Sequence, residues 1–297
     1  DDPTDAHLVR DGNGVTIKLL NGTTANVGEA LMVDGESPTA LYTIVDNTSL
    51  DQLKTDISNG HNGKTDPDFA SINTTLVTNM KDIFANKGSG FNEDITHYDV
   101  SNVATMNGLF KNTPFNHDIS KWNVSNVTDM NDMFLGNSTF NQNIGNWDVA
   151  NVTSMARMFQ NASVFNENIS SWNVSNVTSM ESMFRNSAFN QDIGSWNVSN
   201  VTNMSMMFEN TSTFNQNISH WDVSNVTNMQ NMFSSSNFNE NISSWNVSNV
   251  TTMSNMFYKN PTFNQDIGNW DVSNVTHMGH MFRESSFNQN ISSWNVS

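Results

Sequence analysis

From Phe91 onward the chain repeats one sentence nine times, close to F-N-Q-D-I-G-S-W-N-V-S-N-V-T-x-M-x-x-M-F followed by a few polar residues. The copies open at Phe91, Phe115, Phe140, Phe165, Phe189, Phe214, Phe238, Phe263 and Phe287, so the period is 24 or 25 residues. A period of this length marks a repeat array, in which one coil cannot bury its apolar face alone and stacked neighbours make the core. The sequence therefore predicts a repeat solenoid over residues 91–297 with its last copy incomplete. In such a fold, function is expected on a surface and not in a deep cleft.

Inside each copy the twenty residues from the first Phe to the last keep their spacing, and length varies only in the stretch that follows. Lys111–Pro114 is four residues and Leu135–Thr139 is five, which predicts a single loop face. From Phe165 onward the two lengths alternate, as duplication of a 49-residue double unit would leave them. Trp122 and Val124 are spaced as on one face of a short strand, while Val127, Met130, Met133 and Phe134 have the offsets of a helical or 3₁₀ stripe. Each coil is thus expected to alternate strand, turn, short helix and loop, with coils about 4.8 Å apart. Two asparagine columns, Asn92 to Asn288 and Asn102 to Asn274, are poor helix and strand formers and are read as ladders that satisfy turn backbone groups inside the stack.

Residues 1–68 do not repeat. Alternating apolar positions at Val15, Ile17 and Leu19 and at Tyr42 and Ile44 predict short strands, with turns at Asn21-Gly22 and Asp34-Gly35. Thr48 or Ser49 is the expected cap of a helix that carries Leu50, Leu53 and Ile57 and ends at Gly60. This β-rich unit is expected to cover the first coil. Residues 69–90 form a degenerate capping coil, because Leu76-Val77-Thr78-Asn79-Met80 and Phe84 echo the second half of the repeat without its Trp.

Charge narrows the partners. The formal net charge is −17, with twelve acids against four bases in residues 1–68 and seventeen against eight in the rest. Such a balance repels phosphate backbones and anionic lipid, so neither nucleic acid nor membrane insertion is expected. Cysteine is absent, which removes disulfides and thiolate metal sites. The opening Asp1-Asp2-Pro3 has none of the basic and apolar regions of a signal peptide, so a secreted protein would be present here in mature form.

The run Phe189-Asn190-Gln191-Asp192-Ile193-Gly194-Ser195-Trp196-Asn197-Val198-Ser199-Asn200-Val201 resembles the repeat of BspA-like leucine-rich-repeat surface proteins of bacteria and mycoplasmas. Tyr42 to Leu50 is similar to the leader that precedes such arrays. The resemblance implies a leucine-rich-repeat-like solenoid, secreted or held at the cell surface, used for adhesion or recognition. It brings no catalytic residues.

Asp94, Asp118, Asp192 and Asp266 share one column, and stacked oxygens there would suit Ca²⁺. The other copies carry Asn in that place, so turn-forming side chains are favoured over a calcium ladder, and no cofactor is expected. His277 and His280 lack a third ligand nearby in sequence. The Met columns and the Trp column are read as core. Glycans, if attached, are expected at Asn137, Asn161 or Asn210, whereas Asn126 belongs to the asparagine ladder. The threonine column from Thr128 to Thr276 suggests, as a minor reading, ice or mineral binding. No nucleophile-base arrangement stands out, and an enzyme is not expected.

The candidate binding face is the column just before each Trp, namely Lys121, Asn146, Ser171, Ser195, His220, Ser244 and Asn269, joined by variable pairs such as Ala156-Arg157 and Glu181-Ser182. The function expected is non-enzymatic recognition of a protein or glycan at the cell surface. The alternative is an extracellular filament or layer built end to end, suggested by the stop in mid-repeat at Trp294-Asn295-Val296-Ser297.

Overall fold

The computed structural model describes residues 8–10, 12, 16–19, 25–28, 30–32, 41–58, 72–87 and 91–296. Val15, the two predicted turns at Asn21-Gly22 and Asp34-Gly35, and Gly60 lie outside these residues.

Strand β1 (Leu8–Arg10) pairs antiparallel with β2 (Ile17–Leu19). A second sheet has the order β3 (Ala30–Met32), β4 (Leu41–Ile44), β5 (Ile72–Asn73), antiparallel and then parallel. Helix α1 spans Asn47–Ser58. Its cap is one turn earlier than Thr48 or Ser49: Asp46 Oδ1 accepts the Ser49 N–H at 2.9 Å, and Ser49 Oγ accepts the Asp46 N–H at 2.8 Å. This reciprocal box satisfies two donors that the first turn leaves open. Ser49 is therefore the return partner and Asp46 the cap.

Three contacts hold this unit together and against the capping coil and the array. The Ile17 N–H donates to the His97 carbonyl at 2.9 Å, and Asn73 Nδ2 donates to the Ile17 carbonyl at 2.8 Å. Asn47 Oδ1, at the start of α1, accepts the N–H groups of Thr78 and Asn79. Val45, Leu50 and Ile72 join the main apolar core, whereas Leu8, Ile17 and Ile44 form a small cluster of their own.

From Asn79 to His277 one residue per repeat pairs in parallel with its equivalent in the next, through Thr105, Asp129, Ser154, Ser179, Asn203, Asn228 and Thr252. The coil of Phe165–Ala188 shows how neighbours are joined. Met180, Ser182, Phe184 and Asn186 donate their N–H groups forward to Asn203, Ser205, Met207 and Glu209 carbonyls at 2.8–3.0 Å. Between them, Met183, Arg185 and Ser187 donate to carbonyls three residues back in the same coil at 3.2 Å. The Ser179, Glu181, Met183 and Arg185 carbonyls accept from the coil behind. Four peptide groups in every such coil therefore point the same way.

That pattern is a run of β-turns, and it replaces the short helix that the Met and Phe spacing predicts. Residues 91–296 contain no helical turn of either kind. The turns need left-handed backbone, which is found at Asp132, Arg157, Ser182, Met206, Asn231, Asn255 and His280, and again four residues later at Gly136, Asn161, Asn186, Asn210, Ser235, Lys259 and Glu284. Such residues cost about 1 kcal/mol or more unless Gly, Asn or Asp occupies them. The second column is largely Asn and Gly for this reason. Its apolar neighbours still point inward, because a run of turns repeats them at offsets of three and one, as a helix does.

The short strand expected at Trp122 and Val124 is likewise absent; Trp122 and Val127 instead close turns onto Ile119 and Val124. On this side of the coil, side chains do the joining. Each Asn that follows an opening Phe accepts the backbone N–H of its equivalent in the next coil, for example Asn166 Oδ1 from Asn190 at 2.8 Å. Trp Nε1 donates to the Ile carbonyl of the coil behind, from Trp147 onward; Trp122 Nε1 has no partner. The second asparagine column donates in the same direction, as in Asn126 Nδ2 to Ser101 O at 2.6 Å. Those asparagines are exposed, not internal as expected, because they bridge turns at the coil's edge.

The core is the sum of the apolar columns. At the column positions from Phe115 to Trp270, Phe, Ile, Trp, Val and Met are at most 4% exposed, whereas Val164 in a loop and Met206 between the Met columns are not buried. Within a coil junction Phe184 stacks on Phe189 at 4.0 Å, and Phe184 meets Phe208 of the next coil at 5.8 Å. Parallel rings this close are stabilising beyond their area.

Candidate interaction faces

With the interior identical from coil to coil, whatever distinguishes this chain lies on its sides. Three exposed polar columns run along the array. In the first, Asp94, Asp118, Asp192 and Asp266 are exposed, and each accepts the backbone N–H two residues ahead, from Thr96, Ser120, Gly194 and Gly268 at 2.9–3.1 Å. Asn143, Asn168, Asn217, Asn241 and Asn290 do the same in their coils. The column is a row of Asx turns. The Thr96 hydroxyl, which donates to Asp94 at 2.7 Å, is the main reason its carboxyl titrates below the usual range. Asp94 and Asp118 are on adjacent coils, while Asp192 and Asp266 stand between asparagines; among the described residues no three His, Asp or Glu side chains converge.

The second column is the predicted binding face. Lys121, Asn146, Ser171, Ser195, His220, Ser244 and Asn269 are all exposed. Asn146, Ser171, Ser195, Ser244 and Asn269, however, donate to a backbone carbonyl of the coil behind, Asn146 to Ser120 at 3.0 Å and Ser244 to Ser219 at 2.9 Å. These residues substitute for missing backbone pairing. Asp266 and Asn269 come together in an open polar groove with Asn241, Ser243, Gln265, Gly268, Asn290 and Ser293.

In the third column, the exposed threonines Thr128 to Thr276 each donate their hydroxyl to a carbonyl one coil back, as Thr178 does to Thr153 at 3.1 Å. His277 and His280 are both exposed, and the His277 ring contacts the Thr276 hydroxyl at 2.9 Å. Of the proposed glycan positions, Asn161 and Asn210 are exposed, but Asn137 is wholly buried. Its amide donates to Phe115 O and accepts from Thr139 and Phe140, so it holds the five-residue loop from inside and leaves no room for a sugar.

The side chains vary along the turn ladder. Arg157 bonds Asp132 at 2.6 Å and lies 3.9 Å from Glu181, and Lys111 lies 3.8 Å from Asp132. Arg185 Nε and Glu209 Oε2 form an ion pair at 2.8 Å. Burial is the main cause that raises the Glu209 carboxyl above the usual carboxylate range, with Arg185 opposing it. Of the variable pairs expected to join the binding face, Arg157 and Glu181 reach this side partly exposed, but Ala156 and Ser182 are buried. Lys111, Gln160, Arg185 and Glu209 fall in what looks like a loop in the sequence, and Asp132 stands between the two Met columns, so none of them marks this side by pattern.

No helix among the described residues is long and apolar enough to cross a membrane. Comparison with curated proteins and with solved structures gave no match. A family model described as "Mycoplasma protein of unknown function, DUF285" matches three overlapping segments, residues 53–166, 131–237 and 217–297. Together these cover the whole array and the stretch before it, and the chain therefore belongs to this Mycoplasma repeat family.

Proposed function

We propose that the chain is a leucine-rich-repeat-like solenoid of the BspA type, displayed outside the cell, which recognises a protein or glycan without catalysis and without a cofactor. One observation carries this reading: apolar columns that are the same in every coil face inward, and charged residues that differ between coils, such as Lys121, Arg157 and Arg185, reach the surface on a fixed backbone. Such a design separates stability from specificity, as repeat arrays with extended binding surfaces do. The Trp and Met columns are buried from Trp122 to Trp270, which supports reading them as core.

The test is protease shaving of intact cells that produce the protein. Peptides from the array should appear in the supernatant before lysis, and their appearance only after lysis would overturn the surface reading. Electron microscopy of the purified chain across a wide concentration range adds a second outcome. Rods that lengthen with concentration would favour end-to-end assembly instead.

A further inference from the structure

The open polar groove around Asp266 and Asn269 has a volume of about 650 Å³, and Asp266 is the one charged residue in its lining. Gly268 contributes no side chain to it, where Ser120, Ser170 and Ser219 stand in other coils. The bonds that fix the lining also sort its polar atoms. Asn269 Nδ2 donates to Ser243 O at 3.2 Å and Gln265 Nε2 donates to Asn239 O at 2.8 Å, so both amides turn their nitrogens into the scaffold. Asp266 Oδ1 accepts the Gly268 N–H at 3.0 Å, and the Ser293 hydroxyl donates to Gly268 O. What these side chains keep without a partner among the described residues is a set of acceptors: Asn269 Oδ1, Gln265 Oε1, Asp266 Oδ2 and the Ser293 oxygen. On the neighbouring coils the sorting is reversed. Asn241 and Asn290 each use Oδ1 to accept the N–H two residues ahead at 2.9 Å, and keep Nδ2 as a donor.

The arrangement is built twice. Gln142 donates to Asn116 O at 3.0 Å, Asn146 to Ser120 O at 3.0 Å, and the Ser171 hydroxyl to Gly145 O at 2.5 Å. Asn143 stands there in the place of Asp266, so the earlier copy has an amide where the later one has a carboxylate.

We propose that the groove centred on Asp266 and Asn269 binds an uncharged glycan, whose hydroxyls donate to the central acceptors and accept from Nδ2 of Asn241 and Asn290. Each sugar hydroxyl is donor and acceptor at once, so one ring meets both kinds of group. A peptide carries its backbone donors and acceptors on separate atoms, and Ca²⁺ takes about six to eight oxygens, several of them carboxylate, where this groove has one carboxylate. The lining side chains are already held by the scaffold, so little ordering cost remains for binding. The inference rests on the recognition reading above and narrows its partner to a glycan.

The probes are maltotriose and triacetylchitotriose, both uncharged, titrated separately into the full ¹⁵N-labelled chain and followed by amide chemical shifts. At least one should move the amides of Asp266, Gly268, Asn269 and Ser293 most, and those of Asn143, Gly145 and Asn146 less. Asp266→Asn, which keeps the turn as Asn143 does, should weaken the fitted affinity roughly fivefold, the gap between a charged and a neutral acceptor. Asn269→Ser, the residue found at Ser195 and Ser244 with the same inward bond, should weaken it as well. Asp271→Asn, outside the groove lining, should leave it unchanged. No localised shift with either sugar, unchanged affinity in the Asp266 variant, or the same shifts from Ca²⁺ alone would overturn the proposal. If the peptide acetyl-Ala-Lys-Ala amide moves these amides and the sugars do not, the choice of glycan is overturned while the recognition reading stands; failure of the shaving experiment removes the surface reading whatever the probes do.

Discussion

At Met206 the backbone holds φ at 57°, a region that an unbranched residue enters only at a cost. The cost is tolerated because the Met206 N–H must reach Gln230 O in the next coil. Met206→Gly should therefore stabilise the fold by about 1 kcal/mol in urea unfolding, and Met206→Val should destabilise it by more than that. Glu209 gives a pH-dependent prediction. Its carboxyl is raised on folding, so the folded state binds the proton more tightly. The penalty of ionising it is absent below the unfolded pKa, grows as pH rises through the folded pKa, and is complete above it. Glu209→Gln should accordingly gain stability relative to the parent as pH rises from mildly acid to neutral, measured by thermal unfolding. Asp46 runs the other way: the Ser49 N–H lowers its carboxyl, and that contribution is present above the unfolded pKa and lost as pH falls through the folded value.

The coil is the element of this protein, and its two sides are joined by different means. Asn190 Oδ1 accepts the Asn215 N–H at 3.1 Å and also a Gln216 amide. Asn190→Ala should cost about 1–2 kcal/mol, the penalty for leaving such a donor unmet, and Asn190→Asp should cost less because the acceptor remains. Gly194 shows how tightly coils approach: a Cβ there would lie 2.4 Å from the Asn217 carbonyl oxygen. Gly194→Ser should be destabilising even though Ser120 and Ser170 hold the equivalent place elsewhere. Much of this was legible in sequence. The inward Phe, Ile, Trp, Val and Met columns and the Asn ladder after each opening Phe followed from period and residue type. The short helix did not survive, because Met130, Met133 and Phe134 have the same offsets in a run of turns as in a helix. The deciding signal was present, in the Asn and Gly residues two places after the last Phe, such as Asn112, Gly136 and Asn161, which favour left-handed backbone. Position Asn137 was misread for a related reason: it sits in the variable stretch, yet it points inward to hold the longer loop.

Across the array, backbone hydrogen bonds run either three residues back within a coil or to the coil before or behind at separations near the repeat length, with the Ile17–His97 bond the tie to the N-terminal unit. What sequence could not show is which side is free to vary, since the column before each Trp looks polar and exposed in either case; only the bonds from Ser171 or Asn146 to the coil behind reveal it as scaffold. The turn ladder is the central claim, because it both joins the coils and presents the variable side chains. Residue-resolved amide hydrogen exchange tests it directly. In the coil of Phe165–Ala188 the N–H groups of Met180, Ser182, Phe184 and Asn186 should be protected as strongly as those of Met183, Arg185 and Ser187, since one set is bonded to the next coil and the other within its own. Fast exchange of the first set beside slow exchange of the second would mean that these turns form without joining the coils, and would contradict the account.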